Sequence, residues 1–104
     1  MKLVEIASAR SGDKGDTCNI ALFVGSEAAY ERVRVEVTAE RVKAHFGALV
    51  KGAVRRYELP RLLAFNFVLE GALDGGATRS LRLDPLGKTM GAALLRMEIS
   101  SPAE

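Results

Sequence analysis

The sequence predicts an α+β protein, built as a two-layer sandwich in which helices cover one face of a sheet. The first observation is that short stretches with the alternation of strands are interleaved with amphipathic stretches of helical period. The second is that 48% of the 104 residues are hydrophobic, which suffices for one core. The third is that no internal repeat or low-complexity linker divides the chain. Strands and helices mixed within one unit are typical of this architecture.

We expect one domain over residues 1–100 and a frayed tail at 101–104. The single cysteine, Cys18, excludes an intramolecular disulfide and a metal cage of several cysteines. Glu5 comes too early for the apolar core of a signal peptide, and polar residues interrupt the most apolar stretch before it reaches bilayer length. We therefore predict a cytoplasmic protein without a membrane span.

The formal net charge of +2 is too small to indicate a nucleic-acid-binding protein, so no nucleic-acid partner is predicted. The basic surplus is concentrated in residues 31–61, which hold eight basic and four acidic side chains. Opposite charges there stand at the spacing of neighbours on a helix surface. We favour a solvated helix face with Glu/Arg pairs over a surface for an anionic ligand or an acidic partner.

Residues 3–9 and 18–24 are rich in strand-forming side chains, and together they predict an antiparallel hairpin. Gly25 breaks the pattern, and Ser26 is a suitable N-cap for a helix that opens at the next residue. Residues 30–37 fit a helical stripe and an alternating strand equally well, and we favour the helix.

A second helical segment is predicted to begin after Thr38, whose hydroxyl can cap it. Val42 and Phe46 stand four residues apart, so they would share one face of this helix. Gly47 then supplies the residue type that commonly ends a helix.

Residues 54–59 alternate and predict a short strand, which ends where Pro60 removes a hydrogen-bond donor from the ladder. From Phe65 onwards, apolar positions follow the i, i+3, i+4, i+7, i+8 spacing of a helix that ends at Gly75. These apolar positions are Phe65, Val68, Leu69, Ala72 and Leu73.

Residues 78–84 alternate like a strand, and residues 84–87 have the proline and glycine of a type I turn. The last stretch fits a helix over Met90 and Leu94 or a closing strand over residues 95–99, and the pattern leaves both open. The order of elements resembles a decorated ferredoxin-like fold with a mixed or antiparallel sheet. One sheet face would take the helices, and the other would be polar or covered by a partner.

Residues 11–17, with the sequence SGDKGDT, have the composition of a binding site. A tight two-residue turn would join paired strands at a lower entropic cost, so a predicted loop of this length favours a binding role. Glycines at positive φ can aim successive N–H groups at an anion. Lys14 would add positive charge, and Ser11 and Thr17 would add hydroxyl donors. The segment therefore predicts a site for a phosphate or a carboxylate.

Other interpretations of residues 11–17 stay open. In an Asx-type turn, Asp13 and Asp16 would accept hydrogen bonds from local N–H groups, and the segment would be structural. The same carboxylates suit Mg²⁺, but Lys14 opposes a cation and the calcium-loop pattern is absent, so no metal site is predicted. The spacing of a Walker A motif or a dinucleotide fingerprint is also absent, and no cofactor is predicted.

Four residues outside that segment are weaker candidates. His45 has no second histidine or evident triad member, so we favour a local partner over a catalytic base. Cys18 at the start of a strand fits a small buried hydrophobe better than a nucleophile. Asn66 either faces solvent or hydrogen-bonds into a site. Arg79 either pairs with a carboxylate, which we favour, or reaches an anionic ligand.

Four stretches of the chain resemble the AtuA-like family, named for acyclic terpene utilisation. They are residues 9–20 (ARSGDKGDTCNI), 38–46 (TAERVKAHF), 57–69 and 75–84 (GGATRSLRLD). In that family the matching region is a C-terminal ferredoxin-like domain after a much larger domain, or a separate small protein, and this chain looks like the separate version. The resemblance favours the helix at residues 30–37. It implies a setting in acyl-CoA or terpenoid catabolism, beside biotin-dependent carboxylase and acyl-CoA enzymes, but it assigns no reaction.

The leading hypothesis is a small accessory subunit of a large AtuA-like protein, with residues 11–17 contributing to an anion or ligand site at the joint. The alternative is an independent enzyme or binding protein for an acyl-CoA-type anionic metabolite, which Lys14 would hold while Asp13 or Asp16 acts as base. A homo-oligomer with a structural role is the third hypothesis. The predicted ligand-binding residues are Arg10, Ser11, Gly12, Asp13, Lys14, Gly15, Asp16, Thr17, Asn19, Asn66, Thr78 and Arg79.

Overall fold

Four strands and three α-helices make up the part of the chain that the structure describes, residues 1–72 and 86–100 of a computed structural model. The strands are Ala7–Lys14 (β1), Thr17–Val24 (β2), Val54–Leu59 (β3) and Ala64–Leu69 (β4). The helices are Glu27–Glu36 (α1), Ala39–Phe46 (α2) and Leu86–Leu94 (α3). The predicted α+β class is confirmed.

The four strands form one sheet in the order β1-β2-β4-β3, and every neighbouring pair is antiparallel. Since β4 is antiparallel to both β2 and β3, those two strands run parallel to each other. The chain passes from β2 through α1 and α2 to β3, and β4 then inserts between them. This is the split βαβ unit of a ferredoxin-like arrangement, as the order of elements predicted.

The core lies between the helices and one face of the sheet. On the central strands, every second side chain faces the helices and is buried: Cys18, Ile20, Leu22 and Val24 on β2, and Phe65, Phe67 and Leu69 on β4. Tyr30 of α1 stacks on Phe65 with 4.4 Å between the ring centroids. No described α-helix packs on the opposite face of the sheet, which we call the uncovered face.

Short-range hydrogen bonds and a glycine mark where the helices of this layer begin and end. The Ser26 hydroxyl accepts a hydrogen bond from the Ala29 N–H at 3.1 Å and caps α1, so the favoured helix over residues 30–37 is confirmed except for the last residue. The Thr38 hydroxyl caps α2 in the same way, at 3.2 Å from the Arg41 nitrogen. At the far end of α2, Gly47 adopts a φ of 57°, as the glycine stop predicted.

The predicted helix over residues 65–73 is wrong, because residues 64–69 form β4. Phe65, Phe67 and Leu69 alternate toward the core, whereas Asn66 and Val68 lie on the uncovered face. Since β4 has Val68 on the uncovered face as well as Phe65 and Leu69 toward the core, its sequence also satisfies a helical spacing over one or two turns. Hydrogen bonding to β2 and β3 decided between the two periods.

The predicted strand at residues 78–84 lies outside the described residues, as does the tail at 101–104. Of the predicted turn at residues 84–87, the last two residues belong to α3. The two alternatives for the C-terminal stretch were a helix and a closing strand, and each is correct for part of it. The helix ends at Leu94, and the chain then extends, with Glu98 forming a single antiparallel bridge to Lys2. No helix in the described ranges is long and apolar enough to cross a bilayer.

Candidate functional site

The hairpin between β1 and β2 closes far more tightly than the sequence predicted. Lys14 pairs with Thr17, so Gly15 and Asp16 alone form the turn. Gly15 has a φ of 64°, and a positive φ at the first turn position is typical of the type II′ hairpin turn. The prediction of a loop over residues 11–17 is therefore wrong, because most of the segment continues β1.

The predicted anion nest with two glycines at positive φ does not form. Gly12 is paired with Asn19 inside the hairpin and is absent from the positive-φ residues, unlike Gly15. Strand alternation also separates the polar side chains, since Ser11 and Asp13 lie on the helix side of β1 whereas Arg10 and Gly12 lie on the uncovered face. These neighbours in sequence therefore cannot converge on one ligand.

Ser11 is used inside the fold. Its hydroxyl accepts a hydrogen bond from the N–H of Gly91 in α3 at 3.1 Å. A Cβ added at Gly91 would lie 3.0 Å from the same oxygen and 3.5 Å from the Cβ of Ala9, so the helix and the strand approach closely here. Ser11 thus joins α3 to β1, and this contact could not be inferred from the local sequence.

Cys18 and His45 have the structural environments that we favoured for them. Cys18 is fully buried, and burial, with a smaller effect of the Asp13 charge, raises the pKa of its thiol to about 12. The thiol is therefore protonated at neutral pH and is a poor nucleophile. His45 Nε2 donates a hydrogen bond to the Ala93 carbonyl at 2.8 Å, which links α2 to α3.

The uncovered face brings together four of the predicted site residues, Arg10, Gly12, Asn19 and Asn66. Strand pairing places twelve side chains of this face in three rows. The rows are Ser8, Phe23, Ala64, Leu59; then Arg10, Ala21, Asn66, Tyr57; then Gly12, Asn19, Val68, Arg55. One end is thus apolar, and the other has guanidinium and amide groups. None of these twelve residues is acidic.

Ala21 lies at the centre of the polar end. Arg10 and Asn66 flank it on the neighbouring strands, at the usual strand spacing of about 4.8 Å. Asn19 and Phe23 precede and follow it on its own strand, about 7 Å away and on the same face. Ala21 has a shorter side chain than the four residues around it, and we call the surface above its methyl group the Ala21 depression. Within the described ranges, no hydrogen bond or ion pair engages the side chains of Arg10, Asn19 or Asn66.

Sequence reasoning missed Ala21, Phe23 and Tyr57 as members of this surface. The signal was present, since alternation from the buried Cys18 and Ile20 places Ala21 and Phe23 on the opposite face. For Tyr57, alternation along the chain did not show which face the residue occupies until the register of β3 against β4 was known.

The other predicted residues are spread over the molecule or lie outside its described part. Lys14, Gly15 and Asp16 form the exposed tip of the hairpin, and Thr17 begins β2 half-buried. Thr78 and Arg79 lie outside the described residues. In residues 1–72 and 86–100, no group of three or more His, Cys, Asp or Glu side chains is placed to hold a metal ion.

Comparison with known proteins identifies the family of the fold. A family model of the AtuA ferredoxin-like domain matches residues 1–100. No curated protein and no solved structure matches the chain significantly. The resemblance that rested on four separate motifs is thus confirmed across nearly the whole chain.

Proposed function

Since the chain belongs to the AtuA ferredoxin-like domain family, we propose that it is a small accessory subunit that associates with a large AtuA-like protein. It docks through the uncovered face of its sheet, in the setting of acyl-CoA or terpenoid catabolism that the family implies. The observation on which the proposal depends is a sheet face with large apolar side chains that no described α-helix covers.

Three large apolar side chains of this face are exposed to solvent. Phe23 is 37% exposed, Leu59 40% and Tyr57 49%. Phe23 and Leu59 flank Ala64 in one row, and Tyr57 precedes Leu59 by two residues on β3, so the three are contiguous. Adjacent to them, Leu62 in the turn after β3 is 68% exposed. A contiguous apolar patch with a polar border is typical of a protein interface.

The helical layer supports this choice of face by contrast. Its exposed apolar residues are isolated: Val35 on α1 stands between Arg34 and Glu36, and Leu49 follows the end of α2. Single exposed apolar residues are normal on any protein surface. The helical layer therefore has no comparable patch among the described residues.

The hairpin tip would complete the joint. Lys14 lies on the same face as Arg10 and Gly12, two residues beyond the last complete row, and it is exposed. A partner seated on the uncovered face would therefore meet Lys14 and the turn at its border. In this arrangement the segment 11–17 contributes to a ligand site at the joint through its tip.

The alternative of an independent enzyme has less support. It requires Asp13 or Asp16 as a general base, and both carboxylates are exposed. A carboxylate is tuned for that role by burial or by a neighbouring charge. Neither residue is brought to the polar end of the uncovered face, because Asp13 lies on the helix side and Asp16 lies in the turn.

Co-expression of the chain with a large AtuA-like protein from the same genome tests the proposed function. We expect the two to co-elute, and Phe23→Glu to weaken the complex by about tenfold or more, since it places a charge within the apolar patch. Val35→Glu is the matched control, because it puts the same charge on an exposed valine of the helical layer. Separate elution, or equal weakening by both variants, would contradict docking through this face.

A further inference from the structure

We propose that the Ala21 depression binds a small carboxylate with a flat apolar body. The inference deepens the proposed function, and it rests on that function only in placing the ligand at the joint. The groups that recognise the carboxylate all belong to this chain.

The charged side chains of the uncovered face favour a negatively charged ligand. Arg10 and Arg55 are the two cations among the twelve residues of the three rows, and Arg55 is paired with Glu70 at 3.3 Å. Arg10 has no such partner in the described part of the chain. The three rows hold no acidic residue, and the Glu70 carboxylate that reaches this face is paired with Arg55.

The geometry of donors fits a carboxylate. A guanidinium offers parallel N–H groups that match the two oxygens of a carboxylate. Asn19 and Asn66 lie on two other sides of Ala21, and each side-chain amide adds two N–H donors. A carboxylate at the Arg10 edge of the depression can therefore accept from the guanidinium and from at least one amide.

The apolar groups set the shape of the rest of the ligand. The methyl group of Ala21 would form the floor, and Phe23, the next residue of β2 on the same face, supplies an aromatic ring beside it. The spacing of strands and of alternate residues limits the floor to about 5 by 7 Å, roughly the footprint of one six-membered ring. A flat body would contact both the methyl group and the phenyl ring, whereas a puckered body of the same size would contact one of them.

The depression is open on the solvent side, which predicts weak binding by the chain alone. A single exposed guanidinium with two amides and one ring is consistent with a Kd of about 1 mM, or roughly 4 kcal/mol. A partner seated on the uncovered face would close the open side and exclude water. The ligand would then lie between the two proteins.

Nuclear magnetic resonance of the isotope-labelled chain tests the proposal, with benzoate as the probe. We expect saturable shifts of the Ala21 backbone amide and of the Asn19 and Asn66 side-chain amides. Benzamide, which has no charge, and cyclohexanecarboxylate, which is not flat, should bind at least several-fold more weakly. Tighter binding of either, or of phenyl phosphate, would overturn the assignment to a flat carboxylate.

Two variants locate the site. Arg10→Gln should abolish saturation without a change in thermal stability, because Arg10 is exposed. Arg96→Gln is the matched control, since it removes an exposed arginine from the C-terminal segment after α3. Shifts that do not saturate, or that both variants reduce equally, would show a general attraction of anions to basic side chains and would refute the site.

The outcome is independent of the proposed function. The titration uses the chain alone, whereas docking is measured with the large AtuA-like protein. Benzoate binding without a complex would refute the accessory role and leave the site standing. A complex without benzoate binding would refute the site and leave the accessory role standing.

Discussion

At the scale of single residues, the structure assigns to the fold several groups whose chemistry indicated a site. Ser11 is the clearest case, because its hydroxyl is at once a good ligand donor and a good partner for a backbone N–H. Gly91 reaches it at 3.1 Å across 80 residues of sequence. The identity of the residue type predicted its chemistry, but it could not predict which partner would come near.

We expect Ser11→Ala to lower the free energy of unfolding by about 1 kcal/mol, because the Gly91 N–H loses its acceptor. Chemical denaturation measures the change. Ser8→Ala on the uncovered face of the same strand is the control, and it should be close to neutral since Ser8 is exposed. A loss for Ser8→Ala as large as that for Ser11→Ala would contradict a specific role of the contact.

At the scale of elements, several basic residues of the segment 31–61 form ion pairs or donate hydrogen bonds to carbonyl groups at the end of a helix. Glu/Arg pairs do form on α1, between Arg34 and Glu31 and between Arg32 and Glu36, as predicted. Beyond these pairs, Arg56 donates to the carbonyls of Arg34 and Val37, and Arg41 donates to that of Glu36. Carbonyl groups at the end of a helix have no partner within it, so cations from β3 and α2 supply one.

Arg56 is the strongest of these contacts, and its removal should be costly. One of its terminal nitrogens lies 2.8 and 2.9 Å from the two carbonyl oxygens, its side chain is 15% exposed, and the guanidinium lies 5.3 Å from the Phe65 ring centroid. We expect Arg56→Met to reduce the free energy of unfolding by about 2 kcal/mol, because the carbonyls of Arg34 and Val37 lose their shared donor and the guanidinium leaves the Phe65 ring.

Arg55→Met is the matched control for Arg56→Met. Arg55 is the next residue on β3, points to the uncovered face and pairs with Glu70 on the surface, so its loss should cost less than about 0.5 kcal/mol. Denaturation of both variants by urea measures the difference. Equal losses would refute the assignment of Arg56 to the end of α1.

At the scale of the whole molecule, one carboxylate joins the helical layer to the C-terminal segment. Glu36 of α1 accepts hydrogen bonds from the Ser100 N–H at 2.9 Å and from the Ser100 hydroxyl at 3.1 Å. Arg32 and Arg41 lie within 4.0 Å of it. The Ser100 N–H, with the hydroxyl and both guanidinium groups, holds the pKa of Glu36 below its ordinary value.

A lowered pKa of Glu36 makes stability depend on pH in the acidic range. The carboxylate contributes fully above its ordinary value of about 4.5, and the contribution is lost as pH falls through the lower folded-state pKa. We expect Glu36→Gln to reduce the free energy of unfolding by about 1–2 kcal/mol at neutral pH and to flatten its decrease with acid. Glu40→Gln, an exposed position on α2, is the control. A parallel pH dependence of the wild type and Glu36→Gln would exclude this role.

The sequence by itself determined the elements whose signals are local. Ser26 and Thr38 cap their helices through contacts three residues away, Gly47 ends α2, and Pro60 follows the last residue of β3. The family also followed from short motifs, since the model match extends over residues 1–100. Neighbouring residues suffice for such features because their energy comes from contacts within one or two turns.

The tertiary structure decided the identity of β4, the path of the hairpin and the composition of the uncovered face. Phe65, Val68 and Leu69 satisfied a helical period while Phe65, Phe67 and Leu69 satisfied a strand period, and pairing on both sides of β4 selected the strand. Arg10, Ala21 and Asn66 come together because β4, which is distant in sequence, pairs in register with the hairpin of β1 and β2. Register depends on long-range hydrogen bonds and on which side chains the helices bury, and neither is encoded within any single stretch of the chain.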